Sequence, residues 1–150
     1  MHAKLFTIVD SIDDQFLLQT CLNNLALWCD IWDVKLNVSK CNVVQYKFKN
    51  FNWDYKIQDI ILLNVPNIKD LGVVFENNFK FSIHISDKIS IANRMLGLLK
   101  RNFGPLTPQP FLLLYKTLVR PHLEYAACVW MPYDKNSIKS IEGFLEELLK

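Results

Sequence analysis

Six apolar residues, Ile85, Ile89, Ala92, Leu96, Leu99 and Phe103, recur every three or four positions, so they share a face only if the segment is an α-helix. This stripe divides the chain into two differently patterned halves. Ahead of it, Lys4 to Val9 is a β-rich run that predicts a strand. Ser11 stands three residues before Asp14, a capping-box spacing that opens a helix. Phe16, Leu17, Cys21, Leu25, Trp28 and Trp32 give that helix its apolar positions. Short strands are expected over Val34 to Asn37 and Cys41 to Phe48 around a turn at Ser39, then over Tyr55 to Ile57 and Ile61 to Val65. A strand from Lys69 to Phe75 follows with Gly72 inside it, so the first half reads β-α-β-β-β. Behind the stripe the period stays helical. Gly104-Pro105 ends the first helix, Thr107 and Pro108 open a second over Phe111 to Val119, and Pro121 should stop or kink it. A short helix over His122 to Trp130, a break at Pro132 and a last amphipathic helix over Ser137 to Leu149 complete the chain. The expected class is α+β: a small antiparallel β-sheet with one long helix in residues 1–78, then a three- to four-helix lobe in residues 79–150.

A length of 150 residues suits one domain, or two small lobes sharing a core, and 51% apolar composition supplies enough burial to exclude a disordered chain. Runs such as Asp59 to Val65 and Phe111 to Leu114 are far too short to cross a bilayer, and Met1 to Phe6 lacks the layout of a secretory signal. A soluble intracellular protein without membrane contact is expected, nucleus and cytoplasm being indistinguishable. Cys21, Cys29, Cys41 and Cys128 form no C-x2-C pair, and His2, His84 and His122 are scattered, so no zinc site is expected. Cys21 and Cys29 read as buried thiols on the first helix.

The net charge of +2 hides an uneven distribution. Met1 to Asn78 holds seven lysines against nine acids, whereas Phe79 to Gly104 holds five basic residues against one aspartate. Asp134 to Lys150 returns to a balance of −1. A basic helix between acidic flanks points to one localised polyanion contact. Asp13-Asp14 falls in a helix's first turn, where carboxylates favour the positive end of the dipole, and is read as a helix starter. Arg120 is placed to pair with Glu124, Pro121 sets a corner, and Leu123, Tyr125, Trp130 and Tyr133 are expected to pack. On the last helix Ile138, Ile141, Leu145 and Leu148 form a face that needs a partner within the fold or in another chain.

Four segments stand in an order and spacing that resemble a known family. KLNVSKC at residues 35–41 is similar to the motif after the catalytic turn in the palm of non-LTR retrotransposon reverse transcriptases, the jockey-like and LINE-like elements. KDLGVVF at 69–75 resembles their primer-grip hairpin. ANRMLGLLKRNF at 92–103 and LYKTLVRPHLEYAACVW at 114–130 resemble the helices of their thumb. The resemblance runs from about Lys4 to Ile141 and implies a partial palm followed by a thumb-like lobe. The family is RNA-directed DNA polymerases, whose chemistry needs two Mg²⁺ ions held by carboxylates. Met1 and His2 occupy the positions where the resemblance expects an Asp pair, so the metal ligands are taken as absent and no cofactor is expected.

The resemblance also names residues. Lys40 falls on the lysine proposed in the family to protonate departing pyrophosphate, and it is the sole catalytic remnant expected here. Leu71, Gly72 and Val73 fall at the primer-grip tip, where a glycine permits close backbone approach. Lys80, Lys88, Arg94, Lys100 and Arg101 flank the apolar stripe of a helix that would run beside a template–primer duplex. The expectation is a reverse-transcriptase remnant, not an enzyme as this chain alone, with weak sequence-independent affinity for an RNA or DNA duplex backbone. The alternatives are a fragment of an intact polymerase, or a helical interaction module without enzymatic activity. Self-association through an exposed palm edge or the C-terminal helix goes with either.

Overall fold

The computed structural model describes residues 3–46, 53–104 and 107–148. The chain divides into two compact units, residues 1–66 and 67–150, and each is treated separately. The hairpin that the sequence places at the end of its first region falls in the second unit. The class is α+β, with strand pairing shared among three two-stranded ladders among the described residues.

The first unit is built on α1, Ile12–Ile31. Its start follows from the capping box. The Ser11 backbone N–H donates to Asp14 Oδ2 at 2.9 Å, and the Asp14 N–H donates to Ser11 Oγ at 3.3 Å. The Ser11 hydroxyl also donates to this carboxylate at 2.7 Å and, with the Asp10 N–H, holds it below its ordinary range. Asp14 is therefore fully engaged in starting the helix. The chain then passes through a 3₁₀ turn at Val38–Lys40 and four short strand segments, Lys56–Ile57 and Ile60–Ile61 being antiparallel. The remaining ladder, Asn42–Val43 with Leu63–Asn64, is parallel. We label these β1 (Asn42–Val43), β2 (Lys56–Ile57), β3 (Ile60–Ile61) and β4 (Leu63–Asn64).

Four expectations for this unit are corrected. Lys4 to Val9 is not a strand: Phe6 and Ile8 are exposed, and β-propensity is realised only where a neighbouring strand and a buried face exist. The expected strand at Val34 to Asn37 is likewise irregular, although the turn at Ser39 is present. The buried face of α1 also differs from the stripe read from sequence. Leu22 and Ala26 pack with Tyr55, Ile57 and Leu62, joined by half-buried Leu18, while Phe16, Leu17, Cys21, Trp28 and Trp32 are exposed. Cys29 is the buried thiol and Cys21 is not. The helix is apolar nearly all round, so its periodicity fits more than one face. The face with Ala26 and Cys29 lets the short strands approach closely. Gln19 seals the contact: its amide accepts from the Lys56 N–H at 3.0 Å and donates to the Lys56 carbonyl at 2.8 Å, so it pairs with β2 as a neighbouring strand would. Part of the expected strand Cys41 to Phe48, the Met1-His2 pair and the Gly104-Pro105 terminus extend outside the described residues.

The second unit opens with the hairpin β5 (Asn67–Asp70) and β6 (Val73–Glu76), registered Asp70 with Val73 and Asn67 with Glu76. Gly72 lies in its two-residue turn, outside the strands. The long helix α2, Ser82–Phe103, follows and buries Ile85, Ala92, Leu96 and Leu99 of the expected stripe; Phe103 at its end is exposed. Its N-terminus has a distant cap. Phe81 sits at the N-cap with φ +56° and supplies no side-chain hydrogen bond. Glu76, buried at the end of β6, accepts instead from the Ser82 N–H at 2.6 Å and the Ile83 N–H at 3.4 Å. A carboxylate at the positive end of the helix dipole satisfies donors that would otherwise be orphaned.

The helix α3 begins at Pro108 as expected and runs to Leu114, but Pro121 does not end it. A π-helical segment at Tyr115–Val119 widens the turn, and α4 (Arg120–Glu124) continues through the proline. Proline lacks an N–H and crowds the carbonyl four residues back; the extra residue of a π turn accommodates both. The break falls later. Ala126 at φ +53° separates α4 from α5 (Ala127–Trp130), so the expected helix over His122 to Trp130 is two pieces. The last helix, α6 (Lys135–Leu148), is capped by Asp134, whose carboxylate accepts from the Ser137 N–H at 3.1 Å. The Ser137 hydroxyl and N–H, then Lys80, hold that carboxyl below its ordinary range. Phe144 of α6 is buried with Ala92, Leu96, Leu99 and Val119, and Ile141 packs against a second cluster of Val73, Phe81, Ile85 and Trp130. The inward side of α6 is thus Ser137, Ile141 and Phe144, and of the expected face only Ile141 finds its partner inside the unit, Ile138 and Leu145 being exposed. Leu148's side chain lies outside the described set. Trp130 closes the core, whereas Tyr133, expected beside it, is exposed.

Leu96 and Phe103 share one sequence stripe but not one environment. Leu96→Ala should cost about 2–5 kcal/mol, and Phe103→Ala less than about 1 kcal/mol, in denaturant unfolding followed by circular dichroism. Equal costs would contradict the described packing.

Candidate nucleic-acid interface

The hairpin turn is the most constrained point of the second unit. Leu71 has φ +44° and Gly72 φ +82°, the two left-handed residues of a type I′ turn. Glycine adopts this conformation freely, while a leucine there costs roughly 1–2 kcal/mol. Leu71 is also 75% exposed, so burial does not offset the strain. Tyr125, at the end of α4, holds the turn instead. Its hydroxyl donates to the Leu71 carbonyl at 2.9 Å. Its ring lies so close that a Cβ on Gly72 would stand 3.2 Å from Cε1. The glycine is thus needed twice, for its dihedral and for its lack of a side chain.

Lys88 reaches the same place from α2. Its ammonium lies 5.9 Å from the centroid of the Tyr125 ring, a cation–π distance. The structure therefore gathers Leu71, Gly72 and Lys88 at one spot. Val73, expected at the tip with them, is buried in the core and cannot touch a ligand there. The other basic residues do not form a single stripe. Arg94 and Arg101 are exposed and, seven residues apart, fall on the side of α2 away from its buried face, about 10 Å from each other. Lys100 is exposed on a flank beside Leu99, and Lys80 is exposed in the turn before the helix, near Asp134. Lys40 is exposed on the 3₁₀ turn of the first unit. Arg120 and Glu124 pair at 2.6 Å on the surface of α4 as expected, which engages that cation locally.

Under the hairpin sits a residue to which the sequence reading gave no role. His84 is fully buried, its Nδ1 accepts from the Val74 N–H at 3.3 Å, and its ring meets Trp130 edge-on at 5.3 Å. Nε2 has no hydrogen-bond partner. An acceptor Nδ1 requires the neutral ring with its proton on Nε2. Burial pushes the His84 pKa down, Lys88 and Lys69 add to the shift, and Asp87 opposes it. His84 adjoins Ile85 of the stripe, which was the available signal that it faces inward. Glu76 and Tyr125 left no comparable signal, because each acts on a distant segment.

Among the described residues no group of three or more His, Cys, Asp or Glu is placed to hold a metal ion, and no helix is long and apolar enough to cross a membrane. In the first unit a cleft of about 430 Å³ is lined by Gln19, Asn23, Trp53, Asp54 and Lys56 among others, and it holds none of the expected site residues. The chain matches no protein-family model, no curated protein and no solved structure.

His84 gives a pH dependence whose sign follows from its neutral folded state. The unfolded chain binds the proton near the ordinary value of 6.5, the folded chain only at lower pH. Its contribution is complete above about 6.5 and is lost as pH falls from there toward the folded value. The urea midpoint should therefore drop between about pH 7.5 and 5.5, and stay level over that range in His84→Gln, whose amide oxygen can still accept from Val74.

Proposed function

We propose that this chain is related to the reverse transcriptases of non-LTR retrotransposons, and that its second unit contacts the backbone of an RNA or DNA duplex without reading sequence. Support comes from the order of the four motif-like segments, KLNVSKC, KDLGVVF, ANRMLGLLKRNF and LYKTLVRPHLEYAACVW. The observation that carries the binding part is the meeting of Leu71-Gly72 with Lys88 beside the Tyr125 ring. A glycine turn permits close approach of a phosphate backbone, and a fixed ammonium beside it supplies the compensating charge. Arg94 and Arg101 add two exposed cations to the same helix. No donor or acceptor set for base edges accompanies them, so recognition would rest on charge and shape.

Polymerisation by this chain alone is not part of the proposal. Two-metal phosphoryl transfer needs converging carboxylates. Asp14 is engaged by Ser11 and Asp10, and Asp134 by Ser137, both at helix starts. Primer extension with Mg²⁺ or Mn²⁺ on the purified chain should give no product, and robust extension would overturn this assignment.

A second reading, a protein-interaction module, is favoured by one observation. The side of α1 carrying Phe16, Leu17, Trp28 and Trp32 is exposed, and exposed apolar patches of this kind mark protein contacts. Salt separates the two. Contact with about four phosphates gives a log–log slope of affinity against salt near −3 to −4, and Arg94→Gln or Arg101→Gln should each reduce it by about one. A salt-insensitive dimer in light scattering, with no duplex binding, would favour the module.

A further inference from the structure

We infer that Tyr125 is a positioning residue of the proposed interface: it holds Leu71 and Gly72 in their left-handed pair and so presents the hairpin turn beside Lys88 to a polynucleotide backbone. The inference rests on the nucleic-acid reading above and adds a residue to which neither charge nor motif order gave such a role.

Tyr125 joins segments 54 residues apart through its hydroxyl on the Leu71 carbonyl. Its own backbone is fixed from two directions. The N–H donates to the Pro121 carbonyl at 3.0 Å, and the carbonyl accepts the buried Trp130 indole N–H at 2.7 Å. Ala126 at φ +53° then turns the chain away. The side chain is thus aimed from a rigid corner, although Tyr125 itself is 53% exposed. A tyrosine serving only the core would be buried with its neighbours; this one spends its hydroxyl on a strained, exposed turn. Strain at an exposed position persists only where surrounding groups over-determine it. Here the determinants are one hydrogen bond and one ring edge. The half-buried Lys88 packs its ammonium over the same ring, so ring, turn and cation keep a fixed relation.

The test uses the full chain and a short RNA–DNA hybrid, with binding followed by fluorescence anisotropy over a range of salt. Tyr125→Phe keeps the ring and the charge but removes the hydroxyl. Affinity should fall about fivefold, the worth of one ordinary hydrogen bond, with the salt slope unchanged because the same phosphates are neutralised. Lys88→Gln should instead flatten the slope by about one. Amide exchange at Leu71 to Val73 should quicken in Tyr125→Phe. Adding Leu71→Asn, which tolerates the left-handed conformation, should restore affinity. This double variant also covers the case in which Tyr125→Phe lowers overall stability, since a global defect would not be rescued at the turn. Unchanged affinity and exchange in Tyr125→Phe, while the unaltered chain binds with steep salt dependence, would overturn the positioning role alone. No salt-dependent binding by the unaltered chain would overturn the nucleic-acid reading and this inference with it.

Discussion

The second unit depends on a carboxylate placed where a helix cannot cap itself. Phe81 occupies the N-cap of α2 in a left-handed conformation and offers no oxygen, so the first amides of the helix would be orphaned inside the fold. Glu76 reaches them from the end of β6 and, in doing so, fastens the hairpin to the helix. His84, in the first turn of α2, repeats the connection by accepting from the Val74 N–H. Two side chains therefore set the hairpin against α2 before any contact at its tip. The glycine turn can then be held by a third, Tyr125, from the corner between α4 and α5. Each of these contacts satisfies a buried or strained backbone group, and such groups are costly to leave unpaired.

This arrangement separates what sequence makes legible from what it does not. Periodicity revealed α2 and its inward side, with four of the six stripe residues buried and Ile89 half-buried, because a long helix with one apolar face has a single way to bury it. Local rules also held where their partners are neighbours in sequence: the Ser11–Asp14 capping box, Pro108 in the first turn of α3 and the Arg120–Glu124 pair. On α1 the same rule failed, since apolar residues surround the helix and only the strands decide which side they cover. Lys4 to Val9 failed for a related reason: propensity describes a residue's fitness for a strand and not the presence of one beside it. Glu76, His84 and Tyr125 act across sequence gaps or through burial, and a pattern of neighbours does not encode such contacts.

The candidate site divides along the same line. Leu71 and Gly72 belong to the KDLGVVF segment and Lys88 to the basic residues flanking the apolar stripe, and the geometry brings these three to one place. Val73 falls within the motif, yet as the first residue of β6 it is buried in the core, while Leu71 stands outside the strands in the exposed turn. The basic residues are expected from sequence to flank the apolar stripe of a helix beside a duplex. On a helix they disperse, with Arg94 and Arg101 on the outer side, Lys88 near the hairpin and Lys100 on a flank. A polyanion held by the turn would thus engage Lys88 first, and the outer arginines only by passing around the helix.

Charge elsewhere in the unit bears on how such a contact could be oriented. Glu142 and Glu146 are exposed on α6, and α6 packs against α2 through Phe144 and the Leu96 cluster. Lys135 and Lys139 are exposed on the same helix, in line with Glu142 and Glu146, so its surface charge is mixed and its field on α2 is weak. Exposed charges more than about 10 Å apart are largely screened at 0.1 M salt. Any contact made at the hairpin turn would therefore depend on the charges nearest to it, Lys88 first, and little on the mixed charges of α6.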